Sequence, residues 1–188
     1  EAWSVAIGSD GAIRHLVHRA TGRALADPDH PLGLVLHQSF DEAAYDRFYG
    51  QLTPAPEDES WARWDNTKPG IDAAGAVALV RRPTVVDVRE GGGTVVVRLR
   101  FDDESVARFG APIDPWARWR FEADGSAVHA EVGWPDREAT RLPIATWCSF
   151  VPLVAEPERW ELDKLGQRVS PLDVVRRGGR SLHAVGEG

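Results

Sequence analysis

Short apolar runs broken by Gly, Pro and Asp follow one another along this chain, and few are long enough for helices. Trp3-Ser4-Val5-Ala6-Ile7 and Ala12-Ile13-Arg14-His15-Leu16-Val17-His18 flank Gly8-Ser9-Asp10-Gly11. An Asp-Gly pair between two apolar runs predicts a hairpin, because the tight turn needs a positive φ that Gly accepts without strain. Ala20-Thr21-Gly22-Arg23 turns the chain again. Ile13, Leu16, Val17 and Ala20 also fit helical spacing, with Ser9 or Asp10 as a cap, so periodicity leaves both readings open. The strand is preferred because Asp-Gly follows a strand-like run and Gly22 returns the chain so soon.

Further β runs are predicted over residues 34–40, 76–81, 84–89, 94–101, 116–122 and 127–132, rich in Val, Ile and aromatics and bounded by turn residues. Gly91-Gly92-Gly93 and Asp124-Gly125 join two pairs of these as hairpins. Ala145 to Val151 is mostly apolar and is expected to be a central strand. One segment reads as helix: Asp41 to Leu52 lacks Pro, has Ser39 or Asp41 as a cap, and places Ala44, Tyr45, Phe48 and Leu52 on one face. Thr53 to Gly70 reads as a long irregular connection, a length that usually carries function. These elements predict a mainly β fold, a two-sheet antiparallel sandwich with one short helix near 41–52, forming a single domain over 1–188.

Composition narrows the function classes. A length of 188 residues with 43% hydrophobic content is enough for one substantial core. The net charge of -7 argues against nucleic acid as a partner, since phosphate contacts need clustered Lys and Arg. No apolar run approaches a membrane span and no signal-peptide pattern opens the chain, so no membrane partner is expected. A single cysteine excludes an internal disulfide and a multi-cysteine zinc site, which suits a cytoplasmic protein while leaving a secreted one open. Methionine is absent, which reads as a piece of a larger multidomain protein.

Chemistry is sparse by comparison. On a strand His15 and His18 point to opposite faces and cannot share an ion. The acidic runs Asp41-Glu42, Glu57-Asp58-Glu59 and Asp102-Asp103-Glu104 read as solvated turns, because a glycosidase needs two carboxylates across a cleft. Cys148 lies in an apolar run and is expected to be buried and structural. Gly91-Gly92-Gly93 is not followed by a helix and so cradles no phosphate. The tryptophans say more. Trp61, Trp64, Asp65 and Asn66 in the long connection, with Trp116 after a Pro-rich turn, combine indole faces that stack on sugar rings with polar groups that bond hydroxyls. Packing against the core or another domain is the competing use of these indoles. On a strand Trp116 and Trp119 face opposite ways, so at least one should point inward.

Several segments together resemble an uncharacterised family similar to family-38 glycoside hydrolases, the α-mannosidase type. They are Gly11-Ala12-Ile13 through Thr21-Gly22-Arg23, Pro31-Leu32-Gly33-Leu34, Gln38-Ser39-Phe40, Tyr45-Asp46-Arg47-Phe48, Thr140-Arg141-Leu142-Pro143, Trp160 through Gly166, Ser170 through Val175, and Leu182 through Val185. The resemblance implies a galactose-mutarotase-like sandwich lying after a catalytic domain of the same parent protein. That domain would be its partner and would hold the nucleophile and zinc ligands. No catalytic residue, metal or cofactor is then expected in this chain. The leading expectation is a non-catalytic accessory domain that contacts carbohydrate through Trp61, Trp64, Asp65, Asn66 and Trp116. The alternatives are a free-standing mutarotase-like enzyme using His37 and His129 with a carboxylate, and a structural interaction module.

Overall fold

The computed structural model describes residues 2–52, 68 and 70–170. It is mainly β, built from antiparallel sheets with few helices. The chain divides into two compact units, Glu1–Ser39 with Ala78–Leu153, and Phe40–Val77 with Val154–Gly188.

The first unit opens with the expected hairpin, β1 (Trp3–Ile7) against β2 (Ile13–His18). Gly11 holds φ at 81°, and a Cβ there would lie 2.3 Å from Leu99 Cδ2, so both conformation and space require glycine. The helical alternative for residues 13–20 fails because the β1 backbone pairs with β2 from Trp3 to Ile7. After Gly22 comes β3 (Arg23–Ala26), paired with β2. The strand β4 (Leu32–Ser39) pairs with β12 (Ile144–Phe150), β2 and the short β5 (Leu79–Arg81). The sheet thus runs β1-β2-β4-β12, with β3 added to β2 and β5 to β4.

A second sheet comprises β6 (Thr84–Gly91), β7 (Thr94–Arg100), β9 (Trp116–Phe121) and β10 (Val128–Gly133), in the order β10-β9-β7-β6. The inner faces of the two sheets share their core. Ile13, Leu16, Ala26 and Leu32 from the first pack with Ala117 and Trp119 from the second. Val35 packs with Val97, Leu99, Phe101 and Ala111. Gly33 has φ at 70°, and a Cβ there would come within 2.3 Å of the Trp119 ring, so its missing side chain admits the indole. Trp119 is the inward-facing member of the Trp116/Trp119 pair.

Three expectations need correction. Among the described residues the run at 145–151 forms an edge strand, not a central one, since β12 pairs with β4 on one side and with no described strand on the other. In consequence Cys148 is exposed rather than buried. The acidic run at 102–104 is not merely a turn: Asp102 caps a second short helix, α2 (Asp103–Ala107), accepting bonds from Ser105 N at 2.8 Å and Ser105 Oγ at 2.6 Å. A two-stranded pair, β8 (Pro112–Ile113) with β11 (Asp136–Arg137), completes this unit.

In the second unit the expected helix forms as α1 (Glu42–Leu52), with Asp41 Oδ1 accepting from Ala44 N at 2.9 Å. A single 3-10 turn (Pro157–Arg159) and the hairpin β13 (Leu162–Lys164) with β14 (Gln167–Val169) follow later in the chain.

Candidate functional site

Strand register builds a polar row on the inner side of the first sheet. His37 on β4 is paired with Thr146 on β12 and with Arg81 on β5, so alternation sends all three side chains to one face. His37 is completely buried. Its Nε2 lies 2.8 Å from the Phe109 carbonyl oxygen, which can only accept, so that nitrogen carries the proton. Nδ1 is then an acceptor, 3.2 Å from Thr146 Oγ1. The Thr146 hydroxyl donates to His37 and in turn accepts from the Arg137 guanidinium.

Two guanidiniums flank this histidine. Arg81 donates to Ser39 Oγ at 2.8 Å and lies over the Phe109 ring, 3.7 Å from its centroid. Arg137 reaches Thr146 and sits 5.6 Å from the Trp134 ring centroid. Both are half-buried. Burial pushes His37 below its ordinary value, and the Phe109 carbonyl opposes this only in part, while the positive charges of Arg137 and Arg81 add to it. The ring is therefore neutral at pH 7. Burial also lowers both arginines; Asp102 and Glu104 partly compensate Arg81 through space. Arg137 Nε is buried without a hydrogen-bond partner.

Chemically, the histidine has both nitrogens engaged, so it holds the row in place rather than shuttling a proton. The donors with capacity left belong to the arginines.

A separate open cleft of about 940 Å³ runs along β1 and the β6–β7 turn, with Trp3, Phe121, Val88 and Arg19 among its walls. The indole Nε1 of Trp3 is buried without a partner.

Of the residues singled out from sequence, Trp61, Trp64, Asp65 and Asn66 lie outside the described residues. Trp116 stands half-buried on the outer face of β9, crossing Gly133 of β10, with Arg118 5.9 Å from its ring centroid. His37 and His129 are not brought together. His129 is exposed on β10 and bonds Glu122 at 3.0 Å, while His37 is sealed in the other sheet. His15 and His18 are held apart by different partners, Ser4 and Thr21. No helix among the described residues is long and apolar enough to cross a membrane.

Arg81, Arg137 and Thr146 were not singled out. No motif marks them: the pairing of β4 with two distant strands collects Arg81 and Thr146, and Arg137 joins from β11 through its bond to Thr146.

What these observations define is a β domain with a buried histidine flanked by Thr146 and two half-buried arginines at the β12–β4–β5 side of one sheet. It belongs to the family described as Domain of unknown function (DUF5054), which matches residues 1–129. A search of curated proteins finds no match to the chain.

Proposed function

We infer that this chain is a non-catalytic accessory domain of a glycoside hydrolase, a sandwich of the galactose-mutarotase-like type that packs against a catalytic domain and contacts carbohydrate. The resemblance to family-38 enzymes supplies the enzyme class. The observation that carries the packing role is the β12 edge. There Trp147 is 51% exposed and Val151, just past the strand's end, 43%, apolar surface beside a strand edge that no other described strand pairs. Exposed apolar surface grouped in this way marks a contact with another protein surface, and an open strand edge needs cover. Trp147 is oriented by a 3.0 Å bond from its Nε1 to Gln38 Oε1, so its ring is presented rather than loose.

The test is calorimetry of the parent protein. Domain and catalytic region should melt in one transition. Trp147→Ser should split it in two while leaving the melting of the isolated chain within a few degrees, since this side chain is already half in water. Independent melting in the unsubstituted parent would refute the packing role.

A further inference from the structure

The two arginines of the polar row are an unusual expense. A half-buried guanidinium costs free energy unless its charge and its N–H groups are matched, and evolution ordinarily supplies a carboxylate. Here neither Arg81 nor Arg137 forms an ion pair among the described residues. Each spends one N–H on a hydroxyl, Ser39 for Arg81 and Thr146 for Arg137. A guanidinium has five N–H donors, so most of both forks remain unused. Arg137 Nε is fully buried with nothing to receive its proton.

The two groups are also held in position. Arg81 lies over the Phe109 ring, and Arg137 is set against Trp134 and anchored through Thr146. His37 lies between them, and its neutral form adds no third positive charge. Stacked and anchored guanidiniums lose little freedom on binding, which is the condition for recognising a planar, two-oxygen anion.

The geometry points to an oxyanion-binding site on the first sheet, formed by Arg81 and Arg137 around His37 and Thr146, that takes the carboxylate or phosphate group of an acidic sugar. The sugar part rests on the carbohydrate reading above; the oxyanion part rests on the arginines alone. A carboxylate would accept from the terminal N–H groups of Arg137 that Thr146 leaves unused, and from those of Arg81. The charge left uncompensated by the fold would then be matched by ligand. Asp102 and Glu104 act on Arg81 only through space and bond none of its donors.

The experiment uses the full chain, titrated with sodium sulfate, glucuronate, glucose 6-phosphate and glucose, each against sodium chloride at equal ionic strength. Melting temperature and calorimetric heat are the readouts. Sulfate and the two acidic sugars should stabilise the protein and glucose should not. Arg137→Gln should weaken binding by about tenfold or more, the usual effect of losing a charged hydrogen-bonding group. Arg81→Gln should weaken it in the same direction and serves where Arg137→Gln does not fold. In the unsubstituted chain, the Arg137 Nε–H resonance should shift on adding sulfate.

Glucuronate or glucose 6-phosphate binding tighter than sulfate upholds both parts, and their relative strength identifies which oxyanion is preferred. Equal binding of all three upholds the oxyanion site and overturns its assignment to a sugar. The absence of any response beyond that of chloride, or binding unchanged in both variants, overturns the site itself.

Discussion

Two single residues report on how tightly the two sheets are matched. Gly33 combines a left-handed backbone with a ring of Trp119 in the space where a side chain would stand. Gly33→Ala should therefore lose about 2 kcal/mol or more, from strain and from displacing the indole together. Urea unfolding with a fluorescence readout measures it, and a change of a few tenths would mean that the close approach is soft. His37 reports through pH. Its folded value lies below the ordinary 6.5, so the unfolded chain binds the proton more readily. Stability from this group is complete above about pH 6.5 and is lost as pH falls toward the folded value. Melting temperature should accordingly decline on acidification through that range, before the carboxylates protonate. In His37→Gln, whose amide can still donate to Phe109, that part of the profile should be flatter. Identical slopes for the two proteins would contradict the buried neutral ring.

Among the elements, α2 shows how much a single polar residue does for a short helix. Five residues form too few internal bonds to persist alone, and Asp102 satisfies two donors of Ser105 at the start. Asp102→Ala should cost about 1 kcal/mol in chemical unfolding. Asp102→Asn should retain part of this, because an amide oxygen can still accept. An alanine variant as stable as the parent chain would show that the Phe101 and Phe109 packing on either side holds the segment without its cap. The edge strand β12 illustrates a different influence. Its apolar composition suggested a central position, yet composition describes only how much surface a strand must bury. Whether the cover comes from this chain or from another surface depends on which neighbours β4 has already taken.

Taken together, the two shared core clusters hold the first unit, and the polar row lies in that same inner layer at the β12–β4–β5 side. Charge that the fold leaves unmatched and apolar surface that it leaves uncovered are therefore found in one sheet. The proposed packing and oxyanion roles use different side chains: Trp147 bonds Gln38, whereas Thr146 bonds His37. Adjacent residues on β12 face opposite sides, so the two roles can be tested by separate substitutions.

Local signals were sufficient for the hairpins and the long helix. Asp10-Gly11, Gly91-Gly92-Gly93 and Asp124-Gly125 each require backbone angles that side-chain-bearing residues resist, and Asp41 is placed to cap α1. Neighbouring strands joined by such turns have no real choice of partner, which is why β1–β2, β6–β7 and β9–β10 were legible. The site was only partly so. His37 was named, but for acid-base work with His129, from which the fold separates it. Its actual partner Thr146 is 109 residues away, and Arg81 and Arg137 carry no pattern of their own. Turn chemistry and side-chain alternation act over a few residues and can be read along the chain. Register between distant strands is decided by the shared core, which only the folded molecule possesses.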